Sequence, residues 1–132
     1  VKKDGDLGET KTSWDFKSPT GIATNSNGEI YVADFTSNKI EKINPQTNQR
    51  VIMAAGGLIQ GPSALTYDKI NDVLLVTNYK SGTLTGIDRK GMIEILLESL
   101  DKPYALHLSA DRKLYISEQG KQSVTIIELP KR

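Results

Sequence analysis

Residues 19–43 read PTGIATNSNGEIYVADFTSNKIEKI, and the chain repeats their plan twice. Residues 62–87 read PSALTYDKINDVLLVTNYKSGTLTGI, and residues 103–127 read PYALHLSADRKLYISEQGKQSVTII. The leading prolines, Pro19, Pro62 and Pro103, lie 43 and 41 residues apart. Each unit runs from a strand that starts on small residues, through a polar turn, to an apolar strand that ends on an acid or amide. A second polar turn and a third strand follow. A repeat of roughly 40–45 residues with several short strands per unit is the signature of β-propeller blades. The chain therefore predicts an all-β fold of three four-stranded blades, over about residues 15–57, 58–100 and 101–132. Three blades are too few to close a ring, so half of a six-bladed ring is expected.

Alignment on the prolines predicts the strands one by one. The innermost fall at residues 21–24, 64–67 and 105–108. Gly21, Ala64 and Ala105 share one position there. Propeller strands converge on the axis, and small side chains let neighbouring backbones approach. Ile22, Leu65 and Leu106 follow and are expected to pack between blades. The second strands fall at 30–33, 73–77 and 114–117, rich in β-branched and aromatic residues. The turn before the first of them carries Asn27-Gly28, a strong hairpin signal. Third strands are expected at 39–43, 83–87 and 123–127, and fourth strands at 50–55 and 93–99. The third unit lacks a fourth strand of its own. The polar residues 2–13 are expected to supply it as an outer strand, because an unpaired strand edge leaves open N–H and C=O groups.

Composition bounds the partners. The chain has 132 residues, 17 Lys and Arg against 16 Asp and Glu, and a formal net charge of +1. Charged residues make up 25% of it, the share usual in soluble globular domains. So small a net charge supplies no general field for nucleic acid or anionic membrane, which makes nucleic acid an unlikely partner. The longest apolar runs are strand-length, well short of the ~20 residues that span a bilayer. There are no cysteines, which excludes disulfides and thiolate metal sites. The start at Val1 rather than Met suggests a processed mature form or an excised segment. On that reading a secreted or periplasmic location is favoured over the cytosol, although composition leaves the compartment open.

The first unit resembles the NHL repeat, whose pattern is P-x-G-I-A-V-D, a short Gly turn, I-Y-V-A-D and a third strand around N-x-I-x-K. Pro19, Gly21, Ile22, Ala23, Gly28, Ile30, Tyr31, Val32, Ala33, Asp34, Asn38, Ile40 and Lys42 match it. The second unit keeps Pro62 and Leu65 but has Asn78 in place of the acid. The third keeps Pro103, Leu114, Tyr115 and Ile116, with Glu118 at the acid position. The first unit is similar also to the repeats of streptogramin-type lyases. The resemblance implies a propeller that serves as an interaction platform, or a propeller enzyme of the lyase or lactonase-like kind.

Three sets of residues are candidates for function. Asp34, Asn78 and Glu118 occupy one position in the three units and could form a ring of oxygen ligands for a divalent cation such as Ca2+. Their recurrence in every unit favours a local duty instead, since short polar side chains after a strand accept backbone N–H bonds. His107, the only histidine, lies on an inner strand near the expected channel and is a candidate for acid–base chemistry, with Glu118 beside it in that role. No nucleophile or paired-carboxylate motif accompanies it. The third set is Phe35 and Tyr79, at equivalent positions, with Tyr104. The lysines Lys17, Lys80, Lys102 and Lys121 fall in the same loops. Aromatics interleaved with lysines suit a protein, peptide or small-molecule ligand on one face of the ring. The reading that follows is a binding module that associates with itself to close the ring. The alternative is a propeller enzyme with a metal or His107 in the channel.

Overall fold

The computed structural model describes residue 8 and residues 14–131. All the elements among them are strands: β1 (Pro19–Thr24), β2 (Ile30–Asp34), β3 (Lys39–Asn44), β4 (Gln49–Ala55), β5 (Pro62–Asp68), β6 (Val73–Asn78), β7 (Thr83–Ile87), β8 (Ile93–Leu97), β9 (Pro103–Leu108), β10 (Lys113–Glu118) and β11 (Ser123–Glu128). They form three antiparallel meanders in chain order: β1-β2-β3-β4, β5-β6-β7-β8 and β9-β10-β11. Within the described residues the third sheet thus has three strands rather than four. The expected outer strand at residues 2–13 lies outside them.

The pleat sends alternate residues to the two flat sides of each blade. On β2, Tyr31 and Ala33 face forward and pack with Ala23, Ile40 and Ala54 against Leu65, Leu74, Val76 and Ile87 of the second blade. The other side of the second blade carries Leu75 and Leu84, which meet Leu106, Leu114 and Ile116 of the third. Ile40, Leu74, Val76, Leu84, Leu114 and Ile116 are almost wholly buried. The core is therefore two seams between blades rather than one central mass.

Each seam is close at its inner edge. A Cβ on Gly21 would lie 2.9 Å from the Ala64 Cα and 3.0 Å from the Leu65 amide nitrogen. Only a residue without a side chain lets β1 approach β5 this closely. Polar clasps reinforce the contact: the Thr20 hydroxyl donates to the Pro62 carbonyl at 2.8 Å, and the equivalent Ser63 hydroxyl donates to the Pro103 carbonyl at 3.1 Å. Farther out the seams differ. Tyr31 and Tyr67 stack across the first, with ring centroids 5.7 Å apart. The second is joined by Arg112, whose guanidinium forks onto buried Asp68 at 2.6 and 2.9 Å.

The expectation that Ile22, Leu65 and Leu106 all pack between blades needs one correction. Leu65 is buried and Leu106 packs in the second seam, but Ile22 is 68% exposed. It lies on the backward side of the first blade, where no blade precedes it among the described residues.

Candidate functional site

One rule organises the end of the arc that carries the β2–β3 type of loop. In each blade the acid or amide that closes the second strand accepts an N–H from the residue two before the leading proline. Asp34 Oδ2 accepts from Lys17 N at 3.1 Å, Asn78 Oδ1 from Gln60 N at 3.1 Å, and Glu118 Oε1 from Asp101 N at 2.8 Å. The next residue in each strand then donates its own N–H to the segment entering the blade: Phe35 to Ser18 O, Tyr79 to Gly61 O and Gln119 to Lys102 O, at 2.8–3.0 Å. The two loops of every blade are thereby tied together, and all six emerge on one face.

The remaining oxygens of these side chains are also engaged locally. Asp34 Oδ1 accepts from Ser18 N and Ser37 N, Asn78 Nδ2 donates to Thr85 Oγ1, and Glu118 Oε2 accepts from the Thr125 hydroxyl. The Thr125 hydroxyl and the Asp101 N–H, with Lys121 nearby, hold the Glu118 carboxyl below its usual range against the opposing push of burial. Each member of the supposed ligand ring is thus turned to its own blade. Among the described residues no three His, Cys, Asp or Glu side chains are gathered closely enough to hold a metal ion.

The aromatic candidates do come together. Phe35 meets Tyr79 edge to face with centroids 5.9 Å apart, and Tyr79 meets Tyr104 edge to face at 6.3 Å. Three blades so contribute one ring each to a continuous row. The Lys80 ammonium lies 5.1 Å from the centre of the Phe35 ring, a cation–π contact. Lys17, Lys80, Lys102 and Lys121 are exposed, and Lys121 approaches Glu118 at 3.8 Å. Phe35 and Tyr79 are half-buried by one another, whereas Tyr104 is 44% exposed.

His107 has a different setting. It stands opposite Tyr115 in the β9–β10 register, with the two rings 6.1 Å apart. That side of the third blade faces away from the second, so the imidazole lies on the open end of the arc, exposed. Glu118, by contrast, is buried beneath the loops.

Two features escaped the sequence reading. The first is a polar cleft of about 340 Å³ on the opposite face, lined by Asn25, Glu29, Tyr31, Lys42, Tyr67 and Asp72 among others. Asn25 Nδ2 donates to the Tyr31 hydroxyl at 3.2 Å, and the Tyr67 hydroxyl donates to Asp72 at 3.2 Å. Burial, with the Asp72 charge, pushes the Tyr67 phenol up to about 12. Tyr67 stands one place beyond His107 in the repeat alignment and shares no position with Tyr31, so the repeat gave no hint of their stacking. The second is the Asp68–Arg112 pair, whose partners lie in turns that look like plain hairpin chemistry.

Residues 16–43 match the NHL repeat family. No curated protein matches the chain in sequence. Among solved structures, a chain of the nidogen/laminin complex superposes with a TM-score of 0.76 at 23% identity, over 86% of this chain and 45% of that one. A catalytically inactive virginiamycin B lyase from Staphylococcus aureus, bound to quinupristin, gives a TM-score of 0.69 at 19% identity over 86% and 42%. Hydrazine synthase of Kuenenia stuttgartiensis gives 0.71 at 16% over 94% and 36%. The chain spans less than half the length of each of these structures, and at such identities the likeness is one of fold. The chain is an open arc of three β-propeller blades, the first of them an NHL repeat.

Proposed function

We propose that this arc belongs to a protein-binding propeller, and that the loop face bearing Phe35, Tyr79 and Tyr104 receives an extended, acidic segment of a partner. The observation that carries the reading is the aromatic row itself. Three blades, each folded on its own hydrogen-bond ladder, place one ring apiece in edge-to-face contact on a single face. Rings of this kind offer large contact area at small entropic cost, and the flanking lysines supply charge that selects an acidic chain. The nidogen/laminin structure among the fold neighbours is itself a protein complex. An enzymatic reading calls for ionisable groups that converge on one point. Here Glu118 is turned to Asp101 and Thr125, and His107 to Tyr115 on another side of the arc.

The test is a panel of immobilised synthetic peptides, acidic and basic, read by surface plasmon resonance. Acidic peptides should bind, and the Phe35→Ala/Tyr79→Ala variant should lose at least tenfold in affinity with an unchanged far-ultraviolet spectrum. Preference for basic peptides, or equal binding by the variant, would count against this face. Selective binding of a small molecule at the face would keep the site and change the ligand class.

A further inference from the structure

We propose that the two open ends of the arc are the complementary halves of a third seam, and that a second copy of this chain fills it head to tail. The argument is independent of the ligand-binding reading and rests on the two seams the chain already contains. In each of them a forward side, centred on the third-from-last residue of the middle strand, meets a backward side made by the next blade. Tyr31 on β2 and Leu75 on β6 belong to forward sides; Leu65 with Val76, and Leu106 with Ile116, belong to backward sides.

The ends of the arc continue this series. Tyr115, the equivalent of Tyr31 and Leu75, stands on the outer side of the third blade with His107, Val124 and Ile126. Val124 is 60% and Ile126 56% exposed. At the other end, Ile22, Ile30 and Val32 are the equivalents of Leu65, Leu74 and Val76. They line an apolar cleft of about 390 Å³ together with Trp14 and Phe16. The inner-edge packing is also ready. Gly21 accepts the close approach of Ala64 in the first seam, and its equivalent Ala105 is offered, exposed, at the far end. Joining the ends brings Ala105 of one copy against Gly21 and Ile22 of another, which repeats the small-residue contact. Exposed apolar faces of this extent favour association. Because the arc spans slightly under half of the nidogen/laminin and lyase chains, two copies supply the length of one such propeller. Two head-to-tail joints close a ring with two-fold symmetry, whereas a single joint would leave an open chain.

The third seam differs from the other two in one respect. Thr20 and Ser63 clasp the next blade through a short hydroxyl, but the equivalent residue at the end of the arc is Tyr104. The joint between copies lacks that bond, so it should be weaker than the joints within a copy and depend on concentration.

Sedimentation velocity on the full chain tests the proposal. The wild-type chain should sediment as a dimer at tens of micromolar and dissociate on dilution. Ile22→Glu and Ile126→Lys, each on a different end and each at an exposed position, should both be monomeric with unchanged circular dichroism. Mixing the two variants should restore a dimer through one native joint and one Glu–Lys joint. A monomeric wild-type chain would overturn the proposal, and so would dimers that survive either substitution. Failure of the mixture to re-form dimers, or sensitivity to only one of the two substitutions, would mean that like faces pair and would overturn it equally.

Discussion

Arg112 shows what a single residue does in this architecture. Its guanidinium is almost fully buried and grips Asp68 with two hydrogen bonds, while its second terminal nitrogen also donates to the Pro130 carbonyl. Burial, the largest influence on Asp68, pushes its carboxyl up. The Arg112 fork and the N–H groups of Asn71 and Ile70 outweigh that push and hold it below the usual range. Removing one partner strands the other charge, so Arg112→Ala should cost about 3–5 kcal/mol, and the Asp68→Leu/Arg112→Met pair should cost much less. Urea unfolding of the two variants gives the comparison. The same lowered carboxyls set the acid limit. Asp68 and Glu118 both sit below their usual values, so the stability they bring is complete above the ordinary carboxylate range. It is lost as pH falls through the lowered values. The melting temperature should therefore be flat from pH 7 to 5 and drop below about pH 4, with a shallower drop in Glu118→Gln.

Among the strands, the inner edge is the least forgiving place. Gly21→Ala would put a methyl group 2.9 Å from backbone of β5, and β1 cannot withdraw without opening the Thr20–Pro62 clasp. A cost of about 1–3 kcal/mol is expected, read as a lower urea midpoint. Gly28 is the control: its φ of +79° makes any side chain strained, yet nothing lies within 4 Å of the added carbon. Gly28→Ala should cost only about 1 kcal/mol, through the turn rather than through the seam. Strand boundaries were legible because their causes are local. The span Thr83–Ile87 and the starts at Ile30, Lys39, Val73 and Ser123 agree with the alignment on prolines, since turn residues and β-branched runs sit within a few places of each other. The small residue at position 21 was legible for the same reason, as a departure common to all three units.

The whole molecule was less legible, because seams join residues some forty places apart. Asp68 and Arg112 are separated by 44 positions and have no counterparts in the first seam, so nothing periodic announces them. The exposure of Ile22 follows from its blade being first in the arc, which the alignment with Leu65 and Leu106 could not express. The aromatic row was half legible: Phe35 and Tyr79 share a position in the repeat, but Tyr104 joins them only because neighbouring blades splay its strand toward Tyr79. That row has a mechanical consequence. Its three rings ride on three separately hydrogen-bonded sheets, so their spacing is a gauge of the angle between blades. A guest that touches all three braces the arc against fanning open, and linkage makes the effect mutual: whatever holds the blades at that angle tightens the guest by the same factor. A saturating peptide should then slow amide exchange along β1, β5 and β9, far from any atom it touches, while a peptide that reaches only Phe35 and Tyr79 should leave β9 exchanging as before.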